Sequence, residues 1–240
     1  ASRTGIRARR IVADHETAST MGAIAAQRAL ETSGVPVDQI DLIITANSSP
    51  ERVFPSTAAL IQNALGARPV AAFDLNAACS GFVYGLNIAR QFVSTGTYRT
   101  VLVVGSEVYS RILNWQDRSS CVLFGDGAGA AVVQASTEPG GILSCVMGNE
   151  SAGTEAVYCP SVAASPVDPL AQNGHYLVMN GQQVYKYAVR GMIESARSAL
   201  NEARMQPSDL DLIIPHHANL RMIQSMSESL GIAEEKVFIN

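Results

Sequence analysis

Ile40-Asp41-Leu42-Ile43-Ile44 and Leu210-Asp211-Leu212-Ile213-Ile214 are two copies of one apolar pattern, 170 positions apart in a chain of 240 residues. Each copy follows a helix-forming segment that ends in the same pair, Ala29-Leu30 in the first copy and Ala199-Leu200 in the second. The offset is far longer than a solenoid repeat of about 20 to 50 residues. The equal spacing favours two similar α/β halves, and the alternative is chance recurrence of a common strand opening.

The rest of the chain fits a layered α/β plan. Apolar periodicity predicts helices at residues 17–33, 55–65, 80–95, 182–203 and 220–230. Further strands are predicted at 69–75, 100–105, 142–147 and 176–179, and apolar stretches at 121–124 and 128–134 flank a glycine-rich turn. Continuously apolar strands that alternate with helices predict a mostly parallel sheet covered on both faces. Residues 148–174, rich in Ser, Ala, Pro and Gly, are predicted to form a long surface excursion.

Composition narrows the class of protein. The formal net charge is −4, whereas a nucleic-acid-binding domain is typically basic. No apolar run approaches the roughly 20 residues that span a bilayer, and no signal-peptide pattern is present. The four cysteines show neither CxxC nor metal-finger spacing. We therefore expect a reduced cytoplasmic chain without a metal site and without nucleic-acid or membrane partners.

A single cysteine lies at a chemically favourable place. Cys79 follows the strand predicted at 69–75 and precedes the helix predicted at 80–95. Unpaired N–H groups and the positive end of the helix dipole collect at such a junction. They are expected to lower the pKa of the Cys79 thiol and make it a nucleophile. The alternative is that Cys79 is a small buried hydrophobe.

A histidine pair follows the second-copy strand directly, at Pro215-His216-His217. In open α/β sheets, ligands bind beyond the carboxyl ends of strands. If a pseudo-twofold axis relates the halves, the strand ends before Cys79 and His216 could face one centre. A neutral histidine there can donate a hydrogen bond or act as a base. The alternative for either histidine is a structural role.

The glycine-rich motif at 125–130 resembles a nucleotide-binding fingerprint but does not predict nucleotide binding. Gly125-Asp126-Gly127-Ala128-Gly129-Ala130 matches the GxGxxA dinucleotide fingerprint, which should follow a strand and open a helix. Here the next residues predict another strand. The glycines therefore indicate a tight turn with close backbone approach rather than nucleotide binding.

Taken together, three motifs resemble the β-ketoacyl-[acyl carrier protein] synthase III family of the thiolase superfamily: Asn76-Ala77-Ala78-Cys79-Ser80-Gly81, Phe124-Gly125-Asp126-Gly127-Ala128-Gly129-Ala130 and Pro215-His216-His217-Ala218-Asn219-Leu220-Arg221. Shorter matches are Arg3-Thr4-Gly5-Ile6-Arg7, Phe54-Pro55-Ser56 and Asp117-Arg118, so the resemblance runs from end to end. It implies an α/β fold, the duplicated αβαβα thiolase-like sandwich. Residues 1–140 would form the N-terminal half with the nucleophilic cysteine. Residues 141–240 would hold the connecting excursion and the C-terminal half with the catalytic histidine.

The resemblance also implies roles for individual residues. Cys79 would accept the acyl group and His216 would be the catalytic histidine. Arg3, Arg118 and Arg221 would line the coenzyme A entrance, where guanidinium groups suit phosphate and adenine. Phe54 would border the acyl pocket near a dimer interface.

Two departures from the family pattern stand out. His217 replaces the glutamine that usually follows the catalytic histidine. The family's third catalytic residue, an asparagine, would come after Asn240, as would its glycine-rich oxyanion loop. An N-terminal strand with an adenine-stacking tryptophan would come before Ala1. We therefore expect a sandwich truncated at both ends and a longer parent chain.

The implied reaction is a ping-pong, decarboxylating Claisen condensation. An acyl-CoA primer and malonyl-acyl carrier protein would give 3-ketoacyl-acyl carrier protein and so initiate fatty acid synthesis in a cytoplasmic homodimer. No metal or bound cofactor is implied, because the coenzyme A thioester is a substrate. The alternatives are a related acyltransferase of secondary metabolism, and an inactive truncated fragment or binding scaffold.

Overall fold

The structure, a computed structural model, describes residues 4–161 and 174–239. The chain divides into two compact units, each interrupted in sequence. The cysteine unit comprises Arg10–Arg111 and Gly125–Ile142, and it contains Cys79. The histidine unit comprises Ala1–Arg9, Ile112–Phe124 and Leu143–Asn240, and it contains His216.

The cysteine unit contains three helices and four strands. In chain order these are α1 (Ala18–Ser33), β1 (Leu42–Ala46), α2 (Thr57–Leu65), β2 (Ala71–Leu75), α3 (Gly81–Ser94), β3 (Thr100–Val108) and β4 (Asp126–Gln134). The helices predicted at 17–33, 55–65 and 80–95 are confirmed within a few residues. Local signals set these limits: Thr17 caps the start of α1 through its side chain, and Gly34 ends the helix in a left-handed conformation.

The four strands form one mixed sheet in the order β2-β1-β3-β4. β1 runs parallel to β2 and to β3, with Leu42 opposite Ala71 on one side and Val101 on the other. β4 returns antiparallel to β3, with Ala131 opposite Val103. The predicted mostly parallel sheet is confirmed, because two of the three strand pairs are parallel.

Helices cover both faces of this sheet. Successive residues of a strand point to opposite faces, so Ile43 and Ile44 enter different clusters. Ile43 packs with Ile61 of α2 and with residues of α1. Ile44 packs against Ala89 of α3. The predicted covering of both faces is therefore confirmed for this unit.

The strand that leads to Cys79 differs from its prediction. A buried strand was expected at 69–75, but within residues 4–161 and 174–239 β2 pairs with one strand, β1, and lies at the edge of the sheet. Its burial is partial, and Phe73 is 37% exposed. An apolar sequence gives no information about the position of a strand within its sheet, which depends on chain connectivity.

The close approach of α3 to the sheet leads to a stability prediction. A Cβ at Gly85 would lie 2.9 Å from Cγ1 of the buried Val103, whereas a Cβ at Gly127 in β4 would meet open space. We expect Gly85→Ala to lower the free energy of unfolding by about 1–3 kcal/mol, because the core must be overpacked. Gly127→Ala should leave it unchanged or raise it by up to about 1 kcal/mol. Urea unfolding followed by circular dichroism measures both, and equal effects would contradict the predicted packing.

The histidine unit is built mainly from two helices. α4 (Gly181–Ala203) and α5 (Leu220–Leu230) confirm the helices predicted at 182–203 and 220–230. They pack through Met192, Ile193, Met226 and Leu230. A two-stranded ribbon joins β5 (Val157–Tyr158) to β6 (Val178–Met179), so the strand predicted at 176–179 forms in part.

Other strand predictions in the histidine unit are wrong. The second-copy segment 210–214 forms an isolated bridge between Ile213 and Val237 and no strand. A strand needs a continuous partner, and Leu212 and Ile214 are exposed at 52% and 69%. Residues 142–147 are irregular, so the strand predicted there is absent. The apolar stretch at 121–124, for which no strand was predicted, begins with a turn at 121–123. The expected excursion at 148–174 includes β5, and its residues 162–173 lie outside the described part of the chain.

Candidate active site

Cys79 lies in a tight turn between β2 and α3. A 3-10 turn spans Ala78–Ser80, and α3 begins at the next residue. Gly81 is required there, since a Cβ would lie 2.9 Å from the Cβ of Ala46. Ala78 has φ of 44°, a left-handed conformation that costs a non-glycine residue roughly 1–2 kcal/mol. Such strain clusters at functional sites, where the surrounding structure holds it.

The electrostatics of Cys79 differ from the sequence-based expectation. Burial raises the pKa of its thiol, and the nearby Glu107 carboxylate raises it further. The predicted lowering by the helix start is therefore wrong. Cys79 is exposed by surface area, yet desolvation of its sulfur and the neighbouring negative charge outweigh a backbone hydrogen bond that lowers its pKa. The thiol form is favoured, so a nucleophilic Cys79 must lose its proton to a base.

Glu107 is a site residue that no motif in the sequence indicated. It lies on β3, and its carboxylate binds the turn that follows β1. The backbone N–H and the hydroxyl of Ser48 each donate to Oε1 at 2.8 Å, and the Ser49 hydroxyl donates to Oε2. The available signal was one acidic residue two positions after the apolar run 101–105.

Phe54 belongs to the same unit and lies in the loop between β1 and α2. Its side chain is 83% exposed, and the neighbouring Val53 is 78% exposed. The peptide bond between Phe54 and Pro55 is cis. The loop therefore presents two adjacent apolar side chains to solvent in the described chain.

His216 precedes the short connection into α5. Desolvation lowers the pKa of its imidazole, and positive charge on His217 and Arg9 lowers it further. These effects favour the neutral ring, which has one N–H donor and one acceptor nitrogen. Arg9 is fixed within the same unit, because its Nε donates to the carbonyl oxygen of Leu123 at 2.9 Å.

His217 makes a contact of its own. Its Nε2 lies 2.8 Å from the carbonyl oxygen of Phe238, and the two rings meet edge to face. A carbonyl oxygen only accepts hydrogen bonds, so Nε2 carries the proton. His217 is thus hydrogen-bonded to Phe238, which directly follows the residue that forms the bridge with Ile213, Val237.

The arginines occupy different settings. Arg221 is exposed in the first turn of α5, where its N–H donates to the Asn219 side chain at 2.9 Å. Arg118 is exposed in a turn held by Asp117, whose carboxylate accepts from the Ser119 N–H at 2.9 Å. Both belong to the histidine unit. Arg3 lies outside the described residues.

The structure thus brings predicted residues together within each unit. Cys79 lies beside Glu107 in one, and His216 beside His217 and Arg9 in the other. Across residues 4–161 and 174–239, no three His, Cys, Asp or Glu side chains are grouped as metal ligands. Within the same residues, no helix is long and apolar enough to cross a membrane.

Comparison with known proteins identifies the family. The family model for 3-oxoacyl-[acyl-carrier-protein] synthase III matches residues 73–151, and the model for its C-terminal part matches 200–240. The β-ketoacyl-[acyl-carrier-protein] synthase III of Symbiobacterium thermophilum is 49% identical over 243 residues, covering 100% of this chain and 73% of its own length. The synthase III of Clostridium acetobutylicum is 44% identical, covering 100% and 74%.

Solved structures agree with these matches. The crystal structure of 3-oxoacyl-[acyl-carrier-protein] synthase III from Aquifex aeolicus has a TM-score of 0.92 and 44% identity, covering 100% of this chain and 73% of that one. The priming β-ketosynthase of the R1128 polyketide pathway has a TM-score of 0.91 and 40% identity, covering 99% and 71%. The predicted α/β thiolase-like fold is confirmed. Fold and sequence together show that the chain belongs to the β-ketoacyl-[acyl-carrier-protein] synthase III family.

Proposed function

We propose that this chain joins an acyl-CoA primer to malonyl-acyl carrier protein, with loss of carbon dioxide, to give 3-ketoacyl-acyl carrier protein. The product would start fatty acid synthesis. The observation that carries the proposal is membership of the synthase III family by a chain whose Cys79 lies in a strained turn before α3. Acyltransferases of this family act through covalent catalysis, which requires such a nucleophile.

In the first half-reaction, the Cys79 sulfur attacks the thioester carbon of acyl-CoA. A new C–S bond forms, the bond to coenzyme A breaks, and coenzyme A leaves as the thiol with the proton that Cys79 loses. That proton must be removed during attack, because burial and Glu107 keep the pKa of the thiol high. We assign the transfer to His216, because a neutral imidazole has one acceptor nitrogen that can take the proton.

In the second half-reaction, the bond between the malonyl carboxylate and its α-carbon breaks. Carbon dioxide leaves, and the electron pair of the broken bond stays with the α-carbon, where it forms the enolate of the thioester. We assign His216 to donate a hydrogen bond to the enolate oxygen, an interaction worth roughly 3–4 kcal/mol in comparable sites. The α-carbon then attacks the acyl carbonyl on Cys79, and the Cys79 thiolate is released.

Measurement of both half-reactions tests this proposal. Incubation with acetyl-CoA should add one acetyl group to the intact mass, located on Cys79 by peptide mapping. Addition of malonyl-acyl carrier protein labelled at the free carboxyl should then release one labelled carbon dioxide per 3-ketoacyl product. Acylation of a different cysteine would contradict the assignment of Cys79.

A second candidate has a specific observation in its favour. The similarity to a priming β-ketosynthase from a polyketide pathway, at 40% identity, suits an acyltransferase of secondary metabolism. In that case the acyl group would pass from Cys79 to a different nucleophile. Acyl transfer without malonyl-dependent release of carbon dioxide would favour this candidate over the first.

The two exposed arginines give a prediction about binding. We expect Arg118→Ala and Arg221→Ala each to raise KM for acyl-CoA about tenfold, because a charged hydrogen bond to phosphate contributes about 1.5–3 kcal/mol. Acylation by a short thioester without the nucleotide should hardly change, since these contacts lie away from the reacting carbon. Arg99→Ala, in the other unit, serves as the control. Equal losses with both thioesters would contradict the assignment.

The remaining features of the proposal concern assembly and setting. We propose that Phe54 borders the acyl pocket of a cytoplasmic homodimer and that Arg3 joins the coenzyme A entrance. We propose that the reaction uses no metal or bound cofactor and that the protein has no nucleic-acid or membrane partner. The division into halves at residues 140 and 141 and their origin by duplication stay predictions. The exposure of Phe54 supports its place at a dimer interface. Light scattering tests the homodimer by measuring the molar mass of the protein in solution.

A further inference from the structure

A partly buried carboxylate beside Cys79 has been assigned no step of binding or proton transfer in the chemistry proposed above. Glu107 is the penultimate residue of β3. Burial raises the pKa of its carboxyl, while hydrogen bonds from Ser49 and Ser48 oppose that change. Charged side chains are seldom buried unless a local need retains them.

Hydrogen bonds fasten Glu107 to a single turn. Ser48 contributes two donors to Oε1, its N–H and its hydroxyl, each at 2.8 Å. Ser49 donates its hydroxyl to Oε2 and accepts the Val108 N–H at 2.7 Å. The Ser48 hydroxyl also lies 2.9 Å from the hydroxyl of Tyr109. The turn after β1 is therefore joined to the end of β3 through this carboxylate.

Sheet order places this network next to the nucleophile. β1 lies between β2 and β3, and the three strands run parallel, so their carboxyl ends meet at one edge. Cys79 follows β2, the Ser48-Ser49 turn follows β1, and Glu107 ends β3. The carboxylate acts on the Cys79 sulfur through its charge.

We propose that Glu107 is a positioning residue that holds the Ser48-Ser49 turn beside Cys79 and sets the negative charge near its sulfur. This charge keeps Cys79 protonated until a substrate and a base are both in place. The resting enzyme would thereby resist adventitious alkylation and oxidation, which require the thiolate. The inference rests on the proposed role of Cys79 as nucleophile.

The elements that adjoin Cys79 in the sequence and in the sheet carry other ionisable groups. Asp74 on β2 accepts the N–H groups of Thr57 and Ala58 at the start of α2. Glu51, in the loop after β1, accepts the Ser19 hydroxyl. α3 carries Tyr84 and Arg90, and Tyr109 follows β3. Among charged groups, Glu107 is the one whose charge is identified as raising the pKa of Cys79.

The test is the pH profile of Cys79 alkylation by iodoacetamide, followed by peptide mass mapping. Glu107→Gln removes the charge and keeps an acceptor for Ser48, so alkylation at pH 8 should be about three- to tenfold faster, with its midpoint at lower pH. Glu107→Asp keeps the charge and should retain the wild-type midpoint. Glu31→Gln, on the exposed face of α1, is the matched control. An unmoved or slower profile in Glu107→Gln would overturn the proposal, since a purely structural role changes stability alone.

If Glu107→Gln does not fold, a second variant tests the proposed role of Glu107. Ser48→Ala removes one hydroxyl donor that favours the ionised carboxylate, so Glu107 becomes neutral at higher pH. Cys79 should then react faster near neutral pH, and an unchanged rate would overturn the proposal. Alkylation needs neither acyl-CoA nor malonyl thioester. Failure of acyl transfer with the expected profile would therefore count against the proposed function alone.

Discussion

Cys79→Ala is expected to reduce formation of the acyl-enzyme from acetyl-CoA at least about a thousandfold, because the covalent route is lost with its nucleophile. The remaining cysteines cannot replace it, since an acyl-enzyme requires a sulfur at the strained turn between β2 and α3. Binding of acyl-CoA should survive, because a single small side chain is removed. Rapid-quench measurement of acetyl incorporation gives the rate, and intact mass gives the stoichiometry.

Cys159→Ala is the matched control for this experiment. Cys159 is also exposed, and burial also raises the pKa of its thiol, but its sulfur lies 3.3 Å from the carbonyl oxygen of His175 in the histidine unit. We expect this variant to acquire one acetyl group at the wild-type rate. Wild-type incorporation by Cys79→Ala, or an acetyl group mapped to Cys121, Cys145 or Cys159, would refute the assignment.

His216→Ala should reduce decarboxylation of malonyl thioester by roughly a hundred- to a thousandfold, the usual cost of one lost donor to a developing oxyanion. Acylation of Cys79 should fall less, because solvent can accept the thiol proton. His216→Gln retains an N–H donor and should recover part of the decarboxylation rate. Release of labelled carbon dioxide and incorporation of acetyl groups measure the two steps separately.

The pKa of His216 fixes the expected pH dependence. Desolvation, His217 and Arg9 all lower that pKa, so the ring is neutral above the ordinary histidine pKa of 6.5. Acylation of Cys79, in which the neutral ring accepts the thiol proton, should therefore fall as the pH drops through the lowered pKa. Decarboxylation should respond less to that protonation, because the imidazolium still has N–H donors. An acylation rate that declines as the pH rises from 6 to 8 would show that the imidazolium is the active form. His15→Ala, an exposed histidine of the cysteine unit, should match the wild type.

Sequence periodicity was sufficient for the helices and for the centre of the sheet. α1 extends from Ala18 to Ser33 because Thr17 and Gly34 supply both caps, and these signals are local. The runs 42–44 of β1 and 101–104 of β3 are apolar because helices bury both faces of the sheet there. In such elements the residue types and the environment agree, so pattern alone predicts them.

Strand pairing could not be predicted in the same way. The segments 40–44 and 210–214 share one pattern, yet the first enters β1 and the second forms a bridge at Ile213. A strand depends on a partner in register, and the partner is remote in sequence. β2 shows the same limit, because its apolar residues did not indicate that it lies at an edge.

The sequence was sufficient to predict which residues of the candidate site are reactive, but not the direction in which the pKa of Cys79 is shifted. Motif and junction identified Cys79, but the sign of its pKa shift depends on Glu107, which is 28 positions away in sequence. That carboxylate reaches the site only because β1 lies between β2 and β3. A charge brought by sheet order has no local signature, so the helix dipole was the only effect visible in the sequence.

Chain connectivity makes the β3–β4 hairpin the least costly pair of the sheet to form during folding. Val108 meets Asp126 across 18 positions, whereas Leu42 must find Val101 across 59. Loop-closure entropy grows with the enclosed length, and contacts between distant residues slow folding. β1 and β2 close across an intermediate 29 positions, from Leu42 to Ala71, so the pairing of β1 with β3 is the most costly closure of the sheet. The sheet is therefore expected to assemble as two local pairs, β1 with β2 and β3 with β4, and the strand that leads to Cys79 pairs before the two halves of the sheet join.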